Sequence, residues 1–141
     1  MVESNVTVSN STFKVNDIST DNYGIYVSYA EMEIHGCEFV GTADPYVHYD
    51  LDNSQYSDVN GAFVQVQENS RVWISKGKFT GGRGIYGGCI LQQGYSRLKI
   101  EDSDFFMCTA EYGGAIYASA HRSLEVRRTN FTMNYSFIGY G

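Results

Sequence analysis

One stretch, GTADPYVHYDLDNSQYSDVN (41–60), is crowded with oxygen-bearing side chains, among them Asp44, Asp50, Asp52, Asn53, Ser54 and Asp58. A hard cation wants clustered oxygens, so Asp50-x-Asp52-x-Ser54 with Asp58 has the outline of a calcium loop. The spacing fails at two positions. Gln55 stands where an EF-hand needs its sharp-turn glycine, and Gly61 where it needs a bidentate glutamate. The stretch therefore reads as a solvated acidic loop without a metal. Its Asp44, Tyr46, Tyr49, Asp50, Asp52 and Asp58 form a candidate surface for a partner.

Other residues with chemical potential resolve less sharply. Glu101, Asp102 and Asp104 are interleaved with Lys76, Lys78, Arg127 and Arg128. Proton transfer needs a perturbed carboxylate in a cleft, and no pattern in the sequence marks one, so no catalytic residue is assigned. His35, His48 and His121 are scattered, with no second histidine or cysteine at ligand spacing. Trp73 falls on the outward side of its strand. Cys37, Cys89 and Cys108 are odd in number and sit at three different places in the repeat, so they read as small buried residues rather than a disulfide framework. Four N-x-S/T sequons begin at Asn5, Asn10, Asn130 and Asn134, which would be glycan acceptors in a secreted protein. Asn10 and Asn130 point outward in the expected fold, whereas Asn134 lies in a turn. No cofactor is implied.

The elements that position these residues come from a repeat. Five segments share one pattern: VTVSNSTF (6–13), MEIHGCEF (32–39), VWISKGKF (72–79), LKIEDSDF (98–105) and LEVRRTNF (124–131). Their phenylalanines are spaced 26, 40, 26 and 26 residues apart, a range that marks a repeat architecture. Each segment alternates apolar and polar residues as a strand does, bends for two residues, and returns Phe to the interior. A second apolar strand follows a turn, introduced by glycine. In the long unit, Phe39 to Gly61 spans 22 positions where Phe105 to Gly114 spans 9, so 13 residues leave the coil as the 41–60 loop.

Side-chain columns distinguish a hairpin array from a solenoid. Equivalent residues in a parallel solenoid lie about 4.8 Å apart. The outward columns Glu38–Lys78–Asp104, Lys76–Asp102–Arg128, Glu101–Arg127 and Lys99–Glu125 all alternate in sign, which favours that register. Inward, Phe13, Phe39, Phe79, Phe105 and Phe131 form an aromatic column. Ser11, Cys37, Gly77, Ser103 and Thr129 form a small one, and Asn16, Thr42, Gly82, Cys108 and Asn134 a turn column. Ile25, Ala62, Cys89 and Ala115 are expected to begin the second sheet. The orientation of Tyr26, Phe63, Ile90 and Ile116 stays open, because both faces of that strand are apolar.

Composition agrees. Among 141 residues there are 15 glycines but one proline, which suits many turns between hydrogen-bonded strands. A net charge of −6 offers no basic surface for nucleic acid. No apolar run reaches the roughly 20 residues of a membrane span. The polar start shows no signal peptide, and both termini look cut from a longer array or built to meet another copy.

The phrases LKIEDSDF…YGGAIY and LEVRRTNF, with Phe13-x-x-Asn16 and Phe131-x-x-Asn134, resemble the repeats of right-handed parallel β-helix proteins. They are most similar to the GGAI and FxxN repeats of polymorphic outer-membrane-type adhesins and of protist surface proteins. Gly82, Cys108 and the segment Asn60-Gly61-Ala62-Phe63 depart from that pattern. The expected fold is all-β: a right-handed parallel β-helix (solenoid) of about five coils, one domain over 1–141 with one long loop insertion. The resemblance implies an extracellular or cell-surface protein, structural or adhesive, with a carbohydrate or cell-surface partner; end-to-end stacking is expected because neither end carries an amphipathic helix or proline-rich cap over its unpaired strands. The alternative it implies is a carbohydrate-binding module or polysaccharide lyase or hydrolase of the pectin-lyase-like fold.

Overall fold

The computed structural model describes residues 5–14, 24–41 and 63–138, and these contain strands, bends and turns without a helix. Strands are numbered in chain order. The first sheet stacks β1 (Asn5–Ser9), β4 (Glu31–His35), β7 (Arg71–Ser75), β11 (Arg97–Glu101) and β15 (Ser123–Arg127). The second stacks β2 (Thr12–Lys14), β5 (Glu38–Val40), β8 (Lys78–Thr80), β12 (Asp104–Phe106) and β16 (Asn130–Thr132). A third holds β9 (Arg83–Tyr86), β13 (Thr109–Tyr112) and β17 (Tyr135–Ser136). The fourth holds β3 (Ile25–Ser28), β6 (Val64–Gln67), β10 (Ile90–Gln92) and β14 (Ile116–Ala118). Every strand pair is parallel and in register, as in Leu98↔Leu124 and Phe105↔Phe131. The described coils form a parallel β-helix.

The two coils that begin at β7 and β11 each carry four short strands, where two were expected. The corners explain the difference. Asn10, Gly36, Lys76, Asp102 and Arg128, one per coil, have φ of 48°, 62°, 51°, 49° and 46°. A left-handed residue cannot continue a strand, so the bend splits one run into two sheets. The second corner repeats the device at Gly81, Met107 and Met133, and the third at Gly87 and Gly113. Next to the first corner, hydroxyls of the small column tie the bend to the preceding strand. Ser11, Ser103 and Thr129 each donate to the carbonyl two residues back, at 2.9, 2.7 and 2.9 Å. This local bond is what short polar side chains do best at turns.

The interior is built on the phenylalanine column. Successive rings of Phe13, Phe39, Phe79, Phe105 and Phe131 stack at 4.9, 4.7, 4.5 and 4.9 Å, within 8° of parallel. Ile34, Ile74, Leu98 and Ile100 pack the same core from the first sheet. Fully burying one such side chain contributes about 1.5–3 kcal/mol.

Two expectations about the fourth sheet need correction. Ile25 lies opposite Val64, which stacks on Ile90 and then Ile116. Phe63, not Ala62, shares the column of Cys89 and Ala115, since Val64↔Ile90 places it one residue earlier. The pairing steps by 39 residues in this sheet and by 40 in the first, because the turn before β7 carries one extra residue. The open orientation is settled residue by residue. Tyr26 is exposed, Phe63 and Ile90 are buried, and Ile116 is half-buried. Phe63 turns inward to lie 5.7 Å from Phe39 and 6.4 Å from Phe79.

Candidate functional site

The first sheet presents its outward side chains as a charged face. The expected columns are in register: Glu38↔Lys78↔Asp104, Glu101↔Arg127 and Lys99↔Glu125. Contact follows the column in some cases only. Arg128 Nε donates to Asp102 Oδ1 at 2.6 Å and its second nitrogen to Oδ2 at 3.1 Å, a bidentate pair one coil apart. Lys99 and Arg127 instead turn along their own strands, to Glu101 at 3.1 Å and Glu125 at 2.5 Å. A neighbour two residues away on one strand face competes with the one above it, and long side chains take either. The Arg128 fork holds the Asp102 carboxyl below its usual range, and Asp102 in turn raises the Arg128 guanidinium. Trp73 is outward and 42% exposed, with the Lys99 ammonium 4.9 Å from its ring centre.

The edge of this face, where the fourth sheet turns into the first, forms a cleft of about 290 Å³. Arg71, Arg97, Arg122, Glu31, Tyr29 and Tyr95 line it. Left-handed backbone at Tyr29 and Tyr95 turns the corner, and these rings are 58% and 70% exposed. Arg71 pairs with Glu31 at 2.8 Å. Arg97 lies directly above Arg71 in the ladder. Among the described residues this is the one in-register pair of like charge, and reading the sequence column by column beyond the four columns above would have found it. A second groove of about 270 Å³ runs on from Arg71 and Arg97 past Trp73 and Lys99.

The cysteines depart from expectation. Cys89 and Cys108 form a disulfide, with their Cα atoms 5.7 Å apart, and only Cys37 is free and buried. Their different places in the repeat belong to two adjacent coils that meet inside the helix. Gly82 and Cys108, both departures from the asparagine column, have this one cause. A Cβ on Gly82 would overlap the Cys89 sulfur and the Gly88 carbonyl, so the column is emptied to admit the bridge. The sequence signal was that coincidence of a missing side chain and a cysteine in one column. Where asparagine survives, at Asn134, its Oδ1 accepts from the Cys108 amide at 2.9 Å and its Nδ2 donates to the Phe105 carbonyl at 3.1 Å.

The remaining candidates divide between surface and undescribed chain. Asn5, Asn10 and Asn130 are exposed, and Asn134 is half-buried. Asn130 Nδ2 donates to Asp104 Oδ1 at 2.8 Å. Asp44, Tyr46, Tyr49, Asp50, Asp52 and Asp58 lie outside the described residues. Among the described residues no three His, Cys, Asp or Glu side chains converge as metal ligands. No described helix is long and apolar enough to cross a membrane.

The two ends of the coil stack complete the surface. Leu124, Val126 and Phe131 are 37%, 39% and 48% exposed, whereas their equivalents Leu98, Ile100 and Phe105 are 1% or less. Val6, 41% exposed, occupies the matching column at the opposite end.

Searches of curated proteins and of solved structures return no match to the chain. A family model described as a right-handed beta helix region matches residues 3–141. With nearly every residue matched and the parallel coils as its architecture, the chain belongs to the right-handed β-helix region family.

Proposed function

We propose that the chain is a rigid, non-catalytic segment of an extracellular rod, whose end faces stack on further β-helix. The observation that carries this reading is the order of side chains on those faces. One end offers Leu124, Val126 and Phe131, and the other offers Val6, Val8 and Phe13 in the same three columns. Continuing the ladder would set aliphatic on aliphatic and ring on ring. The outward columns would meet without a like-charge clash, with Glu125 over Thr7, Arg127 over Ser9 and Arg128 over Asn10. An open edge of unpaired backbone groups templates such pairing. Further coils of a longer chain or the first coil of a second copy satisfy it equally, and both build a rod.

The Cys89–Cys108 bridge supports the extracellular setting, since disulfides persist in oxidising surroundings. Glycans on Asn5, Asn10 and Asn130 fit the same setting, as does an adhesive contact made by the 41–60 loop. Within the acidic set of β11 and its corner, Glu101 pairs with Lys99 and Asp102 with Arg128, which supports the non-catalytic reading.

Negative-stain electron microscopy and sedimentation across a concentration series test the rod. Filaments or end-to-end oligomers are expected for the 141-residue chain. They should disappear in Val126→Asp without loss of the folded signal. Single short particles at every concentration would overturn stacking between copies.

A further inference from the structure

The cleft at Tyr29, Arg71, Arg97, Arg122 and Tyr95 has a feature that the rod reading does not use. Arg71 and Arg97 are ladder neighbours, about 4.8 Å apart along the stack. Like charges so placed destabilise the sheet. Every other charged neighbour in register on the described face alternates in sign. Glu31 relieves Arg71, while Arg97 and Arg122 border the cleft with no carboxylate partner among the described residues. Three of the ten basic residues of a chain of net charge −6 therefore gather at one cleft. Two exposed tyrosines flank them. Tyr29 bonds to the turn of the next coil through Glu68, and Asn69 in that turn bonds to Gly94 in the coil of Tyr95, at 2.9 and 2.8 Å. The rings are thus two rungs apart, about 10 Å along the axis.

We propose that this cleft binds a sulfate ester carried on a sugar chain, with Arg97 and Arg122 holding the sulfate and Tyr29 and Tyr95 stacking on the sugar faces. Guanidinium groups recognise oxyanions through paired N–H donors. A planar carboxylate has two oxygens and is filled by one such fork. A sulfate ester keeps three free oxygens, so forks from adjacent rungs can share it. An anion in this position also offsets the positive charge that Arg97 adds directly above Arg71. Aromatic faces spaced along the axis suit an extended chain better than a free ion.

Calorimetric titration of the 141-residue chain with a heparin-type sulfated hexasaccharide, and with the same sugar desulfated, tests the site. Binding of the sulfated sugar alone is expected. Arg97→Gln and Arg122→Gln should each weaken it about tenfold or more, as loss of a charged hydrogen bond does. Arg127→Gln, a basic change on the same sheet outside the cleft, should alter it less than about twofold, the small effect of an exposed charge. Arg97→Gln should melt no lower than the parent chain, which separates a binding role from a structural one. Equal affinity for both sugars, or an Arg127→Gln effect as large as that of Arg97→Gln, would overturn the proposal. The site is independent of the rod: Val126→Asp should abolish filaments and keep the sugar.

Discussion

Gly82, Cys89 and Cys108 act as one unit, and at the scale of residues they decide more than any charged group. The bridge joins two adjacent coils across a 19-residue separation. Closing a loop of this size stabilises by about 3 kcal/mol. Cys89→Ser with Cys108→Ser should lower the unfolding free energy by about that amount in a denaturant titration. Thiol counting on the denatured, unreduced parent chain should find one free thiol, Cys37. Gly82→Ala places a methyl group against the Cys89 sulfur and the Gly88 carbonyl, and overpacking of this kind costs about 1–3 kcal/mol. Asp102 supplies the pH-dependent term. Its carboxyl titrates below 3.8, the ordinary value, because the Arg128 hydrogen bond favours the charged form. The stability this contributes is present above the unfolded-state pKa and is lost as pH falls through the lower folded one. A carboxyl NMR titration should show Asp102 returning to the ordinary range in Arg128→Gln.

At the scale of elements, the stacked rings and the left-handed corners carry the architecture. Phe79 is fully buried between two parallel neighbours, so Phe79→Ala should cost about 3–5 kcal/mol. Phe131→Ala should cost far less in the isolated chain, because that ring is half-exposed and stacks on one side only. The difference is measurable by thermal melting of the two variants side by side. Corner residues obey a separate rule. A non-glycine residue in left-handed backbone costs about 1–2 kcal/mol. Lys76→Gly should therefore raise stability by about 1 kcal/mol, and Gly36→Ala should lower it by a similar amount.

The whole molecule is a one-dimensional stack, so its energetics are local along the axis and its exposed large aliphatic side chains gather at the two ends. Each coil contacts the coils above and below it, and stability is close to a sum of coil and interface terms. A head-to-tail contact between such faces does not close on itself, and open contacts generate filaments rather than rings. Association through Leu124, Val126 and Phe131 should strengthen with moderate salt and warming, as burial of apolar surface does. Association that weakens with salt in sedimentation would point to the charged columns instead.

Much of this was legible in the chain alone, for a physical reason. A 26-residue period puts equivalent residues in vertical contact, so Phe105 over Phe79 and Asp104 over Lys78 are properties of spacing. The coil, its register in the first two sheets and the inward aromatic column follow from that repetition. Other features depend on contacts that spacing does not specify. The split of each expected first strand into two sheets required the sign of φ at Asn10, Asp102 and their equivalents. The register of Ile25 depended on one extra residue in the turn before β7. Cys89 meets Cys108 only because two different columns of adjacent coils converge inside the helix. The cleft of Arg97 and Tyr95 formed where two sheets turn a corner, and only the three-dimensional path of the chain places those side chains around one space.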